Sequence, residues 1–207
     1  MKIYSYMIDH DFGLAPNPFG KYCTVSVCKP KIRKSSNLQI GDWLIGTGSK
    51  SLGKASGFQC VSKLIYAMQV DEIIELNRYW LDPRFEYKKP LMGGTLSTRF
   101  GDNFYYKDAN DDWQQLDCAH RNINGVFNDD HFRKDIDGKN ALISEHFYYF
   151  GDKAPKIPDY LINVCHITQG EKIVRPNELA IQFLNWLQNS HTQGVNGLPI
   201  SWAKYNK

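Results

Sequence analysis

The 207-residue chain has no apolar run near the roughly 18 residues that a helical membrane span requires. Its opening, MKIYSYMIDHD, lacks the basic start and apolar stretch of a signal peptide, so a soluble, cytoplasmic protein is expected. Cysteine is sparse and odd in number, at positions 23, 28, 60, 118 and 165, which excludes a dense disulfide framework and suits structural thiols in a reducing compartment. Three catalytic signatures are missing. No G-x-S-x-G elbow occurs. Gly46-Thr47-Gly48 lacks the third glycine and the helix of a dinucleotide fingerprint. In IGDWLIGTGSK, Ser49 separates Gly48 from Lys50, so the Gly-Lys-Ser order of a P-loop is broken, and Gly53 and Gly57 stand where its helix would begin. Repeats and low-complexity linkers are also lacking. One domain over residues 1–207 is therefore expected, elaborated after residue 90, with a C-terminal helix at about 176–189 packed on it.

What is present is charge asymmetry and an abundance of rings. The net charge of +3 conceals a first hundred residues with 14 Lys and Arg against 8 Asp and Glu, followed by a remainder with 11 against 14. A basic first half suits a polyanion, although a solvated surface of uneven charge has the same composition. Trp, Tyr and Phe make up 14% of the chain, enough for an aromatic core and a stacking pocket as well.

KIYSYMI alternates as a strand, and DHDFGLAPNPFGKY, with its prolines and glycines, excludes regular structure. CTVSVC reads as a second strand, KPKIRKSSN as a basic turn, and LQIGDWLIG and FQCVSKLIYAMQV as two more strands joined by a mobile glycine-rich loop. DEIIELNRYWL has helical spacing and ends at Asp82-Pro83. Residues 93–140 read as short strands and loops, ALISEHFYYFG as a strand covered on both faces, and LINVCHI as a last strand. Pro176 precedes a helix whose Leu179, Phe183, Trp186 and Leu187 form one apolar stripe. The class is α+β.

The stretches SYMIDHDFGLAPNPFGKYCTVSVCKPKIR, GDWLIGTGSK, YAMQVDEIIELNRYWLDPRFEYKKP, GDNFYYKD and HFYYFGDKAP resemble the family called nucleotide modification associated domain 2. The order of turn, strand, glycine-bearing loop and strand is also similar to the PUA superfamily, with its ASCH, EVE and YTH domains. That resemblance implies a PUA-like mixed β-barrel with flanking helices. It also implies a place beside enzymes that modify bases, in phage or bacterial settings, with DNA or a nucleotide as partner. The family brings no established catalytic set, so roles must come from the residues.

For recognition of a base, rings must sandwich it, amides or carboxylates must meet its polar edge, and cations must meet the flanking phosphates. The candidates are Asn17 and Phe19 in the first loop; Thr47, Ser49 and Lys50 as an anion clamp; Trp80, Arg84 and Lys88; and Asn103 and Tyr106. Trp80 has a core reading too, and the GTGSK stretch can be a plain connector. Should the protein be an enzyme, acid/base groups would come from Asp102, His120, His131 and Asp135. Cys118-Ala-His120 is too close in sequence to read as a nucleophile and its base, although on a strand the two would point the same way, and a module for protein interaction is a third possibility. No metal and no cofactor are expected. Cys23 and Cys28, five apart on an expected strand, face opposite ways, and His120, His131 and Asp135 match no zinc spacing. Both histidines can equally be hydrogen-bonded loop residues.

Overall fold

The computed structural model describes residues 1–120, 126–168 and 170–205. In chain order its strands are β1 (Ile3–Ile8), β2 (Cys23–Val25), β3 (Trp43–Gly48), β4 (Leu64–Gln69), β5 (Glu72–Glu75), β6 (Tyr105–Lys107), β7 (Trp113–Gln115), β8 (Asn140–Ser144), β9 (Phe147–Tyr149), β10 (Glu171–Ile173) and β11 (Gly194–Val195). Its helices are α1 (Pro30–Arg33), α2 (Lys50–Ser56), α3 (Leu76–Leu81), α4 (Leu96–Arg99), α5 (Asp129–Asp137) and α6 (Asn177–Ser190), with 3₁₀ turns at Pro83–Lys88, Gly151–Lys153, Asp159–Val164 and Ile200–Lys204. The architecture is mixed α+β. Among the described residues no helix is long and apolar enough to cross a membrane.

The chain divides into two compact units, each discontinuous in sequence. The first comprises Met1–Phe12, Gln39–Asp71 and Ser144–Lys207, the second Gly13–Leu38 and Glu72–Ile143. The first unit is built on a six-stranded sheet in the order β10-β1-β3-β4-β9-β11. β1 runs parallel to β3 and β11 parallel to β9, while the other neighbours are antiparallel. The order has two ends, so the described strands form an open sheet. Its central strands are buried along almost their whole length, as near-continuous apolar runs such as WLI and LIYAM require. Gly46 lies so close to Ile8 and Tyr66 that any Cβ would collide with both side chains. α6 buries Leu179, Phe183 and Leu187 and packs against the Asp159–Val164 turn. The buried carboxylate of Asp11 accepts from the Ile200 N–H at 2.9 Å and from the Tyr149 hydroxyl.

In the second unit a three-stranded sheet, β2-β8-β5, accompanies the β6-β7 hairpin. One apolar cluster gathers Tyr22, Leu76, Tyr79, Phe85, Ala141 and Ile143; another gathers Val27, Phe104, Tyr105 and Cys118.

Several expected elements are corrected. EIIE is strand β5, since Ile73 and Ile74 stand opposite Leu142 and Ala141 on β8, and only LNRYWL is helical. ALISEHFYYFG is two strands in different sheets, broken at Glu145 and His146. LINVCHI is largely a 3₁₀ turn, and KPKIRKSSN contains α1, whose Pro30 sits at a position tolerant of a missing N–H. The supposed glycine-rich loop after β3 is α2: the Ser49 side chain accepts the Leu52 N–H at 3.0 Å, and Gly57, with φ 80°, closes the helix. Strong caps hold a short helix that carries Gly53 inside it. Residues 93–140 contain α5, started by Asn128, whose side chain accepts the His131 N–H at 3.0 Å, with Asp129 and Asp130 in the first turn.

Candidate functional site

The densest group of chemically capable side chains lies in the second unit. β2 ends at Val25, and Cys28 and Lys29 then take left-handed backbone, φ 56° and 45°, before α1 begins. That turn aims the Cys28 N–H at Asp135 Oδ1, 2.6 Å away. Asp135 Oδ2 accepts the Tyr105 hydroxyl at 3.1 Å and lies 3.4 Å from His120 Nε2. His131 stands one helical turn before Asp135 on α5, so both share a face, and its ring centroid is 4.7 Å from that of His120. Beneath them the buried Arg33 guanidinium donates to the carbonyls of Cys28 at 3.0 Å, Asp135 at 2.9 Å and Asn140 at 2.7 Å. It thus ties α1, α5 and β8 together.

Burial governs the protonation of this group. It lowers the His120 pKa, against the pull of Asp135, and favours the neutral imidazole. It also pushes the Cys28 thiol up to about 12, with Asp135 adding to the effect, and raises the Tyr105 phenol, again helped by Asp135. The Cys28 Sγ, a His120 ring nitrogen and an Asp135 oxygen all lie within 4.8 Å of one another. Such a set can relay a proton or hold a cation. Three of the four expected acid/base residues, His120, His131 and Asp135, are therefore adjacent. Tyr105 and Arg33 join them without having been singled out, and so does Cys28, which the sequence had weighed only as a partner of Cys23. The strand that begins at Cys23 stops at Val25, so Cys28 lies in the turn beyond it and is grouped with His120 and Asp135, not with Cys23.

Asp102, the fourth, belongs to another knot. Its carboxylate accepts Thr24 Oγ1 at 2.7 Å and the Tyr79 hydroxyl at 2.8 Å. The Lys88 ammonium donates to the Asn17 carbonyl at 2.9 Å, the Asn17 side-chain oxygen at 2.7 Å and the Tyr22 carbonyl at 2.7 Å. Those bonds use all three of its protons. Desolvation lowers the Lys88 pKa to about 8, opposed by Asp102 and Cys23, and raises that of Asp102, opposed chiefly by Lys88. Asn17 also donates to the Phe100 carbonyl at 2.9 Å, and Asn103 to the carbonyls of Tyr79 and Phe85, both at 3.2 Å. Asn17, Lys88 and Asn103, expected to meet a nucleotide, are buried and engaged inside the fold.

The remaining candidates are dispersed. Trp80 stacks on Tyr106, centroids 4.6 Å apart and planes 20° apart, under the Lys89 ammonium at 3.9 Å, so no gap for a base separates the two rings. Arg84 is exposed but forks onto Asp82 and Glu72, at 2.7 and 3.0 Å, and these bonds hold its pKa up, that to Asp82 most. Phe19 is half-buried. In the first unit Thr47 is buried and donates to the Tyr6 carbonyl at 3.5 Å, Ser49 caps α2, and Lys50 is exposed at that helix's first position.

The family model described as nucleotide modification associated domain 2 matches residues 1–206, and the chain belongs to that family, which links its role to nucleotide modification. No curated protein and no solved structure matches the chain.

Proposed function

We propose that this member of the family acts on a nucleobase or nucleotide by acid/base chemistry, with the second unit supplying the reactive groups. The observation that carries the reading is the convergence of His120, His131 and Asp135 beside Cys28. His120 is held towards its neutral form and can accept a proton, and the exposed His131 stands where a substrate can reach it. The rings of Trp80 and Tyr106, closed on each other, are poor grounds for a purely stacking reader. As a test, purified protein is incubated with nucleotides and oligonucleotides carrying plain and modified bases, and the nucleosides are followed by mass spectrometry. A mass change that falls at least tenfold in His120→Gln and His131→Ala supports the reading. No change with any substrate, or full activity in both variants, overturns it.

A second reading, recognition of nucleic acid or of a modified base as an accessory to DNA modification or defence, has its own support. Tyr87 is an exposed ring whose hydroxyl accepts the Tyr22 N–H, and the Lys21 ammonium and the Arg84 guanidinium lie 5.0 and 5.9 Å from the buried Tyr22 ring next to it. Rings with nearby cations suit single strands. Under this reading, oligonucleotide affinity drops steeply from low to moderate salt through counterion release, and Tyr87→Ala weakens it. Base-modification enzymes are then the natural protein partners. We take both units as parts of one domain of this family, since a single model matches residues 1–206, and its mixed parallel and antiparallel sheet as PUA-like.

A further inference from the structure

We propose that Cys28, His120 and Asp135 are the ligands of a divalent transition-metal ion, zinc by the nature of the donors. Zinc takes sulfur, nitrogen and carboxylate oxygen at about 2.0–2.3 Å, which in a tetrahedron sets ligand atoms roughly 3.3–3.7 Å apart. His120 Nε2 and Asp135 Oδ2 are already 3.4 Å apart, and the three donors lie within 4.8 Å of one another, so small side-chain rotations close the set. The residues come from three separate stretches: the turn after β2, the chain beyond β7, and α5. Their supports have the form of an outer shell. Arg33 fixes the backbones of Cys28 and Asp135, Tyr105 fixes the carboxylate, and the Cys28 N–H holds its other oxygen. Two successive non-glycine residues in left-handed backbone, Cys28 and Lys29, are strain of the kind that collects at functional sites, and they deliver the thiol.

Three protein ligands leave a position open, as catalytic zinc sites do, and the exposed His131 ring stands 4.7 Å from that of His120. This deepens the acid/base reading and rests on it for its purpose: His120 and Asp135 become ligands, and His131 is left to move a proton.

The test uses the full chain and needs no substrate. Protein purified without chelator is assayed for metal by mass spectrometry, then stripped and titrated with zinc and cobalt(II). About one equivalent is expected, and the cobalt form should show the charge-transfer absorption of a thiolate ligand. Cys28→Ser and His120→Gln, checked for native circular dichroism, should lower affinity at least tenfold and, for Cys28→Ser, abolish that absorption; His131→Ala should keep it. Folded protein that takes up neither metal, metal binding unchanged in Cys28→Ser and His120→Gln, or loss in His131→Ala equal to that in His120→Gln each overturns the assignment. Stoichiometric metal without nucleotide conversion would leave the site standing and sink the acid/base reading; conversion by folded protein that takes up neither metal would do the reverse.

Discussion

Each of the two units has its own kind of interior. In the first, the central strands β3 and β4 bury apolar runs, and the buried charged side chains among the described residues are Asp11, whose carboxylate accepts from the Ile200 N–H and the Tyr149 hydroxyl, and Asp42, whose carboxylate accepts from the Lys2 and Gln39 N–H groups. In the second, the sheets are short, and Arg33, Lys88, Asp102 and Asp135 are buried, the two cations hydrogen-bonded to carbonyl and amide oxygens and Arg33 also 3.9 Å from the Asp135 carboxylate. Apolar burial tolerates approximate fit, whereas a buried charge demands particular partners. The second unit therefore has a more exacting interior, which is the condition for holding reactive groups in fixed geometry.

The largest effect that would break this contrast is expected from Lys88→Met. It removes the ammonium from the Tyr22 carbonyl and from both Asn17 oxygens, which keep only the Thr24 and Phe19 N–H groups, and leaves Asp102 without its nearby cation. Unfolding free energy in urea should fall by about 3–5 kcal/mol. A loss under about 1 kcal/mol would mean that the second unit rests on its apolar clusters instead. The counterpart in the first unit is Ile45→Ala, in a strand buried throughout. Its cost should be about 3 kcal/mol from lost burial and the cavity left behind, and Ile45→Val should recover most of it.

A finer probe is pH. Lys88 has a folded pKa of about 8 against an ordinary 10.5. Between those values the unfolded chain holds a proton that the folded chain has released, so this residue's contribution to stability rises with pH across that window and is lowest below it. The buried thiols of Cys23 and Cys28, raised from 9.0 to about 12, act in the opposite sense above about pH 9. Lysine-selective NMR separates these effects: one lysine should titrate near pH 8, and its resonance should vanish in Lys88→Met. If no lysine titrates near pH 8, Lys88 is not desolvated.

The smallest expected effect concerns the first unit's surface. Lys50→Ala and Lys50→Glu should shift the melting temperature hardly at all, the latter even slightly upward because a carboxylate suits the start of α2. If GTGSK clamps an anion, both should weaken oligonucleotide binding, glutamate more, by roughly 1 kcal/mol or greater. Parent-like binding would make Lys50 a helix residue and nothing else.

The same contrast explains what sequence could reveal. β1, β3, β4 and α6 follow apolar patterns, and those patterns were readable. α5 was not: DDHFRKDID is almost wholly polar, and its start is fixed by the Asn128 cap and acidic first turn. Arg33 reads as a solvated turn residue and Lys88 as a phosphate contact because such residues are rarely buried. Their burial depends on partners such as Asn17, Tyr22, Asn140 and Asp135, far away along the chain. Likewise, no spacing rule could join Cys28 to His120 and Asp135, since each comes from its own stretch. His120, His131 and Asp135 could be grouped by residue type; Cys28 required the turn at the end of β2.

The discontinuous division of the chain also orders events during synthesis. Once Ile143 has left the ribosome, every residue of the second unit exists, whereas the six-stranded sheet still lacks β9, β10 and β11. The early strands β1, β3 and β4 can pair with each other, but β4 has an unpaired edge until β9 arrives, and β1 until β10. The segment from Ser144 onward completes a sheet begun at Ile3, so a premature stop just after Ile143 would release a finished polar unit attached to an apolar sheet with open edges, a natural substrate for chaperones.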